Sequence, residues 1–217
     1  RDTDRSRGLG DVYKRQDSSL TASAAQQLGT ADIQDAGNLI LSTNENWVLG
    51  NTVTGSGDVT KNGAGTVTLG DGAQWTGTTN INAGGLILGN SEAPLMLASS
   101  QVNIGSNGKL SGYGGVAGNI DNQGALVIGD YTGTKTMSTS SPIIFTVDGN
   151  VTNSGNIWTG ISSSSAGNQL VINGSYQGDG GHIHLNTALN DDSSITDKVV
   201  IKGDTSGTTG VSVSNLG

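Results

Sequence analysis

Apolar residues alternate with polar ones at every second position along this chain, in short runs separated by polar, glycine-rich corners. A period of two is the strand period, because successive side chains leave a strand on opposite faces. The runs carry apolar-x-apolar triplets at Leu39/Leu41, Val67/Leu69, Leu86/Leu88, Val102/Ile104, Leu126/Ile128, Phe145/Val147, Leu170/Ile172, Ile183/Leu185, Val199/Ile201 and Val211/Val213. The alternation predicts short strands joined by tight turns.

The triplets recur at intervals of about 20 residues, or half that, which is too short for a domain and fits one coil of a solenoid. In a parallel β-helix each coil lies on the preceding one, so like side chains stack inside and backbone groups pair with the neighbouring coils. We therefore predict an all-β fold, a right-handed single-stranded parallel β-helix. Residues 17–54 are expected to form two less regular coils, and residues 17–34 also have some helical composition.

The composition favours a narrow core. The 36 glycines and single phenylalanine give too little bulk for a wide globular core, while regular alternation argues against disorder. No segment approaches the roughly 20 apolar residues that a membrane helix needs, so no direct membrane insertion of this chain is expected. The absence of cysteine excludes thiol catalysis, disulfides and cysteine metal sites.

The N-terminal segment 1–16 differs from the rest. Residues 6–16, SRGLGDVYKRQ, resemble one translated reading frame of a sequencing-library transposase adaptor. We therefore predict that residues 1–16 are an adaptor-derived artefact outside the fold. Residues 17–217 then carry 15 acidic and five basic side chains, a net charge of −10, with no arginine. Nucleic acid and anionic lipid are not expected partners, because phosphate binding relies on Lys and Arg.

Three blocks resemble one known family. Residues 55–88, GSGDVTKNGAGTVTLGDGAQWTGTTNINAGGLIL, resemble the passenger-associated strand repeat of bacterial autotransporters, with Trp75 where tyrosine is usual. Residues 108–126 resemble the glycine-alternating coil that follows it in such passengers. Residues 170–209, with LVINGSY and DKVVIKGDTSGTT, resemble the pertactin-like C-terminal end of the passenger.

The resemblance implies a surface-displayed or secreted autotransporter passenger fragment of type V secretion that acts as a stalk or adhesin. Residues 17–167 would be the β-helix stalk and residues 168–217 a cap that nucleates folding after outer-membrane translocation. Its own C-terminal outer-membrane β-barrel would follow Gly217, and host or bacterial surface glycans or proteins are further expected partners. The alternative is a carbohydrate-active β-helix enzyme, a polysaccharide lyase or hydrolase.

Two polar groups are candidate metal ligands. His182 and His184 share one strand face opposite Ile183, and Asp191, Asp192 and Asp197 supply the oxygen ligands that calcium prefers. The histidines lack a visible third ligand, and the aspartates lack the glycine-and-aspartate spacing of calcium-binding solenoids. We predict no metal and no cofactor. Short Asp and Ser side chains accept backbone N–H bonds in turns, so loop 190–197 and a hairpin over residues 199–213 are expected to stabilise the cap.

Catalysis and glycan binding would each need side chains brought together by coil register. Glycoside hydrolysis needs two carboxylates roughly 5–10 Å apart. The isolated candidates are Asp58, Asp71, Glu92, Asp121 and Asp130, whereas the serine run 162–165 is interpreted as a protruding loop. We predict no catalytic residue and no enzyme. Aromatic residues on one exposed face would form a glycan-stacking row, and otherwise they fill the core: Trp47, Trp75, Trp158, Tyr113 and Tyr131.

Overall fold

The protein is a stack of parallel β-strand coils. The computed structural model describes residues 18–129, 142–160, 166–189, 191 and 193–217, together with the backbone of Val12–Tyr13. Asp130, Tyr131, the serine run 162–165 and Asp192 lie outside the described residues. The strands pair in parallel from coil to coil in three sheets, so the prediction of an all-β parallel β-helix is confirmed.

The strands fall into one large and two smaller sheets. The four-stranded sheet contains β1 (Val12–Tyr13), β3 (Ile33–Gln34), β6 (Val53–Gly55) and β9 (Ala73–Trp75). The five-stranded sheet contains β11 (Leu95–Leu97), β13 (Gly114–Val116), β16 (Ile144–Val147), β19 (Gln169–Ile172) and β22 (Lys198–Ile201). The 14-stranded sheet contains β2 (Ser19–Ala22), β4 (Asn38–Ser42), β5 (Trp47–Leu49), β7 (Asp58–Asn62), β8 (Thr66–Leu69), β10 (Thr78–Leu88), β12 (Gln101–Gly112), β14 (Asn119–Asn122), β15 (Ala125–Ile128), β17 (Val151–Asn153), β18 (Asn156–Trp158), β20 (Tyr176–Ala188), β21 (Ile195–Thr196) and β23 (Thr205–Asn215).

The register shows that the coils use unequal lengths of chain. Leu39 pairs with Val59 and Lys61 pairs with Ile81, so the first regular coils have the same length. A later coil is slightly shorter, because Val102 pairs with Ile120. The next coil is much longer, because Ile120 pairs with Val151. Inward residues pair with inward residues from coil to coil in all these cases, although the pairing shifts by a bulge between Ile81 and Ala83 and between Asp179 and His182.

Inward-facing apolar residues form continuous stacks along the axis. The triplets from Leu39/Leu41 to Leu170/Ile172 are buried at both positions, as the alternation predicts. The last triplets differ: Val199 and Ile201 are half-buried, and Val211 and Val213 are 59% and 60% exposed. They lie on β22 and β23, which pair with β19 and β20 and have no strand on their other side among the described residues.

Stacked glycines hold the corners of neighbouring coils close together. Gly118, Gly149, Gly174 and Gly203 occupy one corner in successive coils. The N–H of each later glycine donates to the carbonyl of the one before it, at 3.2 Å for Gly149 and Gly174 and 3.0 Å for Gly203. A Cβ on Gly174 would lie 2.5 Å from the carbonyl oxygen of Gly149. The close approach of two backbones, rather than a special φ, requires glycine here.

Two details differ from the sequence-based predictions. The predicted hairpin over residues 199–213 is wrong, because β22 and β23 lie in different sheets and each pairs in parallel with the preceding coil. The antiparallel pairing near this point instead joins β21 to the end of β20. Residues 18–34 form strands β2 and β3 with one 3-10 turn, Ala25–Gln27. The boundaries at residues 16 and 167 stay predictions, although Val12–Tyr13, inside segment 1–16, pairs with β3 at the edge of the four-stranded sheet.

Candidate functional site

A buried carboxylate organises the C-terminal coils. Asp197 follows β21 and is 3% exposed. Its Oδ1 accepts hydrogen bonds from the backbone N–H groups of Gly167 (2.8 Å) and Asn168 (2.9 Å). Its Oδ2 accepts from the N–H of Asn186 (2.8 Å) and the hydroxyl of Thr159 (2.6 Å). We name these five residues the Asp197 cluster.

The Asp197 cluster joins segments that are distant in sequence. Thr159 follows β18, Gly167 and Asn168 precede β19, and Asn186 lies near the end of β20. A buried carboxylate with four donors is satisfied, whereas the backbone N–H groups that donate to it would stay buried without an acceptor if it were removed. Calcium binding would use the same Asp197 oxygens that already accept these four hydrogen bonds.

A second buried polar network lies inside the same coils. Asn122 donates to Asn153 Oδ1 at 2.7 Å and to the carbonyl of Asn156 at 2.9 Å. Asn153 donates to the hydroxyl of Tyr176 at 3.3 Å, and this hydroxyl lies 2.9 Å from Thr209 Oγ1. The network runs through successive coils to β23. Its hydrogen bonds form only when these coils stack in this register, so the network favours this register over others.

The predicted loop chemistry is confirmed at Asp191. Its carboxylate accepts hydrogen bonds from the backbone N–H and the hydroxyl of Ser193. These bonds stabilise the charged form and lower the pKa of Asp191. Asp191 is exposed and its bonds are local, whereas Asp197 is buried and its bonds are long-range, so the two aspartates of this loop have different structural roles.

The two histidines form part of an outer stack with a tryptophan. His184 stacks on Trp158 with ring centroids 3.6 Å apart and an interplanar angle of 6°, and His182 lies 4.6 Å from His184. Burial, and then the charge of His182, lower the pKa of His184. The Nε2 atoms are engaged, by Ser212 Oγ at 2.6 Å for His182 and by Asn156 Oδ1 at 3.1 Å for His184. In the described part of the chain, no three His, Cys, Asp or Glu side chains group closely enough to hold a metal ion.

The described aromatic residues do not form one exposed row. Trp75 is fully buried and donates its indole N–H to Thr79 Oγ1 at 2.8 Å. Trp47 and Tyr113 are partly buried against the core, and Tyr113 lines a groove of about 220 Å³. Since one face of Trp158 is covered by His184, these residues offer no continuous stacking platform for a glycan.

Two of the described candidate carboxylates, Asp58 and Asp121, lie far apart along the axis. Asp58 lies on β7 and Asp121 on β14, and the pairing order β7, β10, β12, β14 places them on coils three steps apart. At about 4.8 Å per step, this is roughly 14 Å along the axis. Asp71 and Glu92 are exposed in the turns before β9 and β11. The register therefore does not bring Asp58 and Asp121 to the separation that glycoside hydrolysis needs.

One charged residue inside the core was not predicted. Lys61 is fully buried, and its ammonium donates to the carbonyl oxygens of Asn62, Gly63 and Ala83. The signal was present in the sequence, because Lys61 follows Val59 by two positions and therefore shares its inward face. A charged side chain is expected at the surface, because lysine is almost never fully buried without a partner.

Comparisons with known proteins give the family context. Residues 134–217 match the family model described as Autochaperone Domain Type 1. The chain is 44% identical over 197 residues to the uncharacterized protein YuaQ of Escherichia coli, covering 91% of this chain and 12% of YuaQ. It is 50% identical over 48 residues to the adhesin BmaC autotransporter of Brucella suis, covering 22% of this chain and 1% of BmaC.

A third relative, the probable autotransporter YfaL of Escherichia coli, is 39% identical over 71 residues, covering 33% of this chain and 6% of YfaL. The chain thus spans at most 12% of the length of these three relatives. Among the described residues, no helix has the length and apolar character needed to cross a bilayer. The autochaperone match contains the whole Asp197 cluster and all of β16–β23. The matches and the parallel β-helix together support an autotransporter passenger-associated region.

Proposed function

We propose that this chain is a β-helical stalk of an autotransporter passenger, displayed at the cell surface or released, and that its C-terminal coils nucleate its folding after outer-membrane translocation. The observation that carries the proposal is the Asp197 cluster, a buried long-range hydrogen-bond centre inside the autochaperone match. The cap, predicted to span residues 168–217, contains Asn168, Asn186 and Asp197. Through the Asp197 carboxylate it accepts hydrogen bonds from Thr159 and Gly167, which precede the cap.

A formed cluster gives the next coil a template. In a solenoid each coil contacts only its neighbours, so folding can nucleate at one place and propagate with local loop closure at each step. The C-terminal coils hold two buried networks of polar side chains that link several coils, whereas the buried Lys61 on β7 bonds only to backbone carbonyls of its own turn and of the next coil. Polar networks that fit only one register are suited to define the first coil on which the others stack.

We propose a structural role in display and adhesion rather than catalysis. The separation of Asp58 from Asp121 and the interrupted aromatic row support this choice over a lyase or hydrolase. The proposed partners are the passenger's own outer-membrane β-barrel, in a part of the protein outside this chain, and surface glycans or proteins of a host or bacterium. The relative BmaC is named an adhesin, which supports adhesion as the role of the complete passenger.

The test compares two matched core truncations in refolding. Leu170→Ala in β19 and Leu41→Ala in β4 each remove a fully buried inward leucine, one at each end of the stack. If the C-terminal coils form the nucleus, Leu170→Ala should slow folding in proportion to its loss of stability, a φ-value near one, and Leu41→Ala should mainly speed unfolding. Stopped-flow refolding of the whole chain measures both. The opposite distribution of φ-values would refute C-terminal nucleation.

A further inference from the structure

Lys61 is a charged residue at a core position. It lies on β7 between Leu41 on β4 and Ile81 on β10, which are its register partners in the adjacent coils. All three side chains are fully buried. The aliphatic stem of Lys61 thus continues an apolar stack, and its ammonium must find partners inside the solenoid.

Three carbonyl oxygens surround this ammonium. Nζ donates to Asn62 O and Gly63 O at 2.8 Å each, and to Ala83 O of the next coil at 3.2 Å. We name these three carbonyls the Lys61 corner. Gly63 has a φ of +77°, which turns the chain at this point. A Cβ there would lie 2.3 Å from the carbonyl oxygen of Thr43, so the corner depends on glycine.

The number of partners matches a protonated amine. An ammonium has three N–H donors, and the corner supplies three acceptors, whereas a neutral amine or a water molecule has only two donors. Burial lowers the pKa of Lys61 to about 8, which still leaves it mainly protonated at neutral pH. Calcium is a poor match, because it takes six to eight oxygen ligands and favours carboxylates.

We propose that the Lys61 corner is an internal binding site for a primary ammonium ion, which the side chain of Lys61 fills from within the chain. The site recognises a primary n-alkylammonium by three hydrogen bonds to carbonyl oxygens and by apolar packing of the alkyl chain between Leu41 and Ile81. A free ion of this class should therefore occupy the site when the lysine is shortened. The inference rests on the geometry of this corner and does not depend on the proposed display function.

The test is chemical rescue of Lys61→Ala. This substitution removes the equivalent of n-propylammonium, so thermal unfolding is measured in n-propylammonium chloride, in sodium chloride of equal ionic strength and in n-propanol. We expect only n-propylammonium to raise the Tm of Lys61→Ala, by about 1–2 °C at a concentration equal to its Kd. The wild type and Lys198→Ala, which alters an exposed lysine, should show no selective rise. Equal Tm values for Lys61→Ala in the two salts would overturn the proposal.

A second measurement serves if Lys61→Ala does not fold. The wild-type chain is acylated at its lysines under native conditions, and mass spectrometry compares Lys61 with the exposed Lys198 and Lys202. An ammonium held by three carbonyls should react at least tenfold more slowly than the exposed amines, and protection should disappear in denaturant. Acylation of Lys61 at the rate of Lys198 would refute an occupied internal site.

Discussion

Removal of the Asp197 carboxylate is the sharpest perturbation of the C-terminal coils. Asp197→Ala leaves three buried backbone N–H groups without their acceptor, while the Thr159 hydroxyl can donate to the carbonyl oxygen of His184 instead. Each unsatisfied buried donor costs about 1–3 kcal/mol, but the three are coupled, and removing a charge from the interior returns part of its desolvation cost. We therefore expect a net loss of about 3–5 kcal/mol in the free energy of unfolding.

Asp197→Asn should lose less. An amide nitrogen in place of Oδ2 can donate to Thr159 Oγ1, whose hydroxyl can then donate to the carbonyl oxygen of His184, 3.0 Å away. Only the N–H of Asn186 then faces a donor, so we expect a loss of about 1–3 kcal/mol for this one unsatisfied bond. The order of stability is thus wild type, Asp197→Asn, Asp197→Ala.

Denaturant unfolding followed by tryptophan fluorescence measures these differences. Trp158 lies beside Thr159 and reports on the C-terminal coils, while Trp47 reports on the other end of the stack. Asp191→Ala is the control, because it removes an aspartate of the same loop whose bonds are local and exposed. If Asp197→Ala unfolds at the same denaturant concentration as Asp191→Ala, the Asp197 cluster does not stabilise the coils.

Three further predictions concern other parts of the stack. Gly174→Ala should destabilise the chain by about 1–3 kcal/mol, because its Cβ meets the carbonyl of the preceding coil. Gly70→Ala has open space at its Cβ and should not destabilise the chain, and thermal unfolding compares the two variants. The folded pKa of Lys61, about 8, lies below the unfolded value of 10.5, so the unfolded chain binds more protons between these pH values. The stability of the wild type relative to Lys61→Met should therefore rise by about 3 kcal/mol from pH 8 to 10.5 in denaturant titrations, and a pH-independent difference would contradict the buried ammonium. Folding also lowers the pKa of His184, so the unfolded chain binds more protons below pH 6.5. The wild type should therefore lose stability relative to His184→Gln as pH falls below 6.5, and a gain in stability on acidification would contradict this prediction.

The alternation of the sequence predicts the coils because it depends only on neighbouring residues. It correctly places Leu39, Phe145 and Ile172 in the core. It fails at Val211 and Val213, since burial of an inward residue in a solenoid also requires a strand on each side, and β23 has one described neighbour. The period of two continues through corners, which explains why residues 108–126 appear regular although they span the end of β12, then β13, β14 and the start of β15.

The polar centres were harder to predict from the sequence. The donors to Asp197 lie 11 to 38 positions earlier in the chain, so no local pattern marks it as buried. Loop chemistry correctly indicates that Asp191 and Asp197 accept N–H bonds, but the difference between an exposed turn and a buried hub depends on how the coils stack. For Lys61, the period of two correctly places the side chain on the inward face. The general preference of lysine for solvent wrongly predicts that it is exposed.

Because the coils differ in length, the height of this molecule depends on the number of coils rather than on the number of residues in the chain. The short coil from Val102 to Ile120 and the long coil from Ile120 to Val151 each add about 4.8 Å along the axis. From β2 to β23, eight such steps give a reach of roughly 38 Å. An insertion between two strands therefore widens the stalk at one level and leaves its tip at the same distance from its base, while only the gain or loss of a whole coil moves the tip. Sideways loops can thus diversify in sequence and size without changing how far the stalk extends.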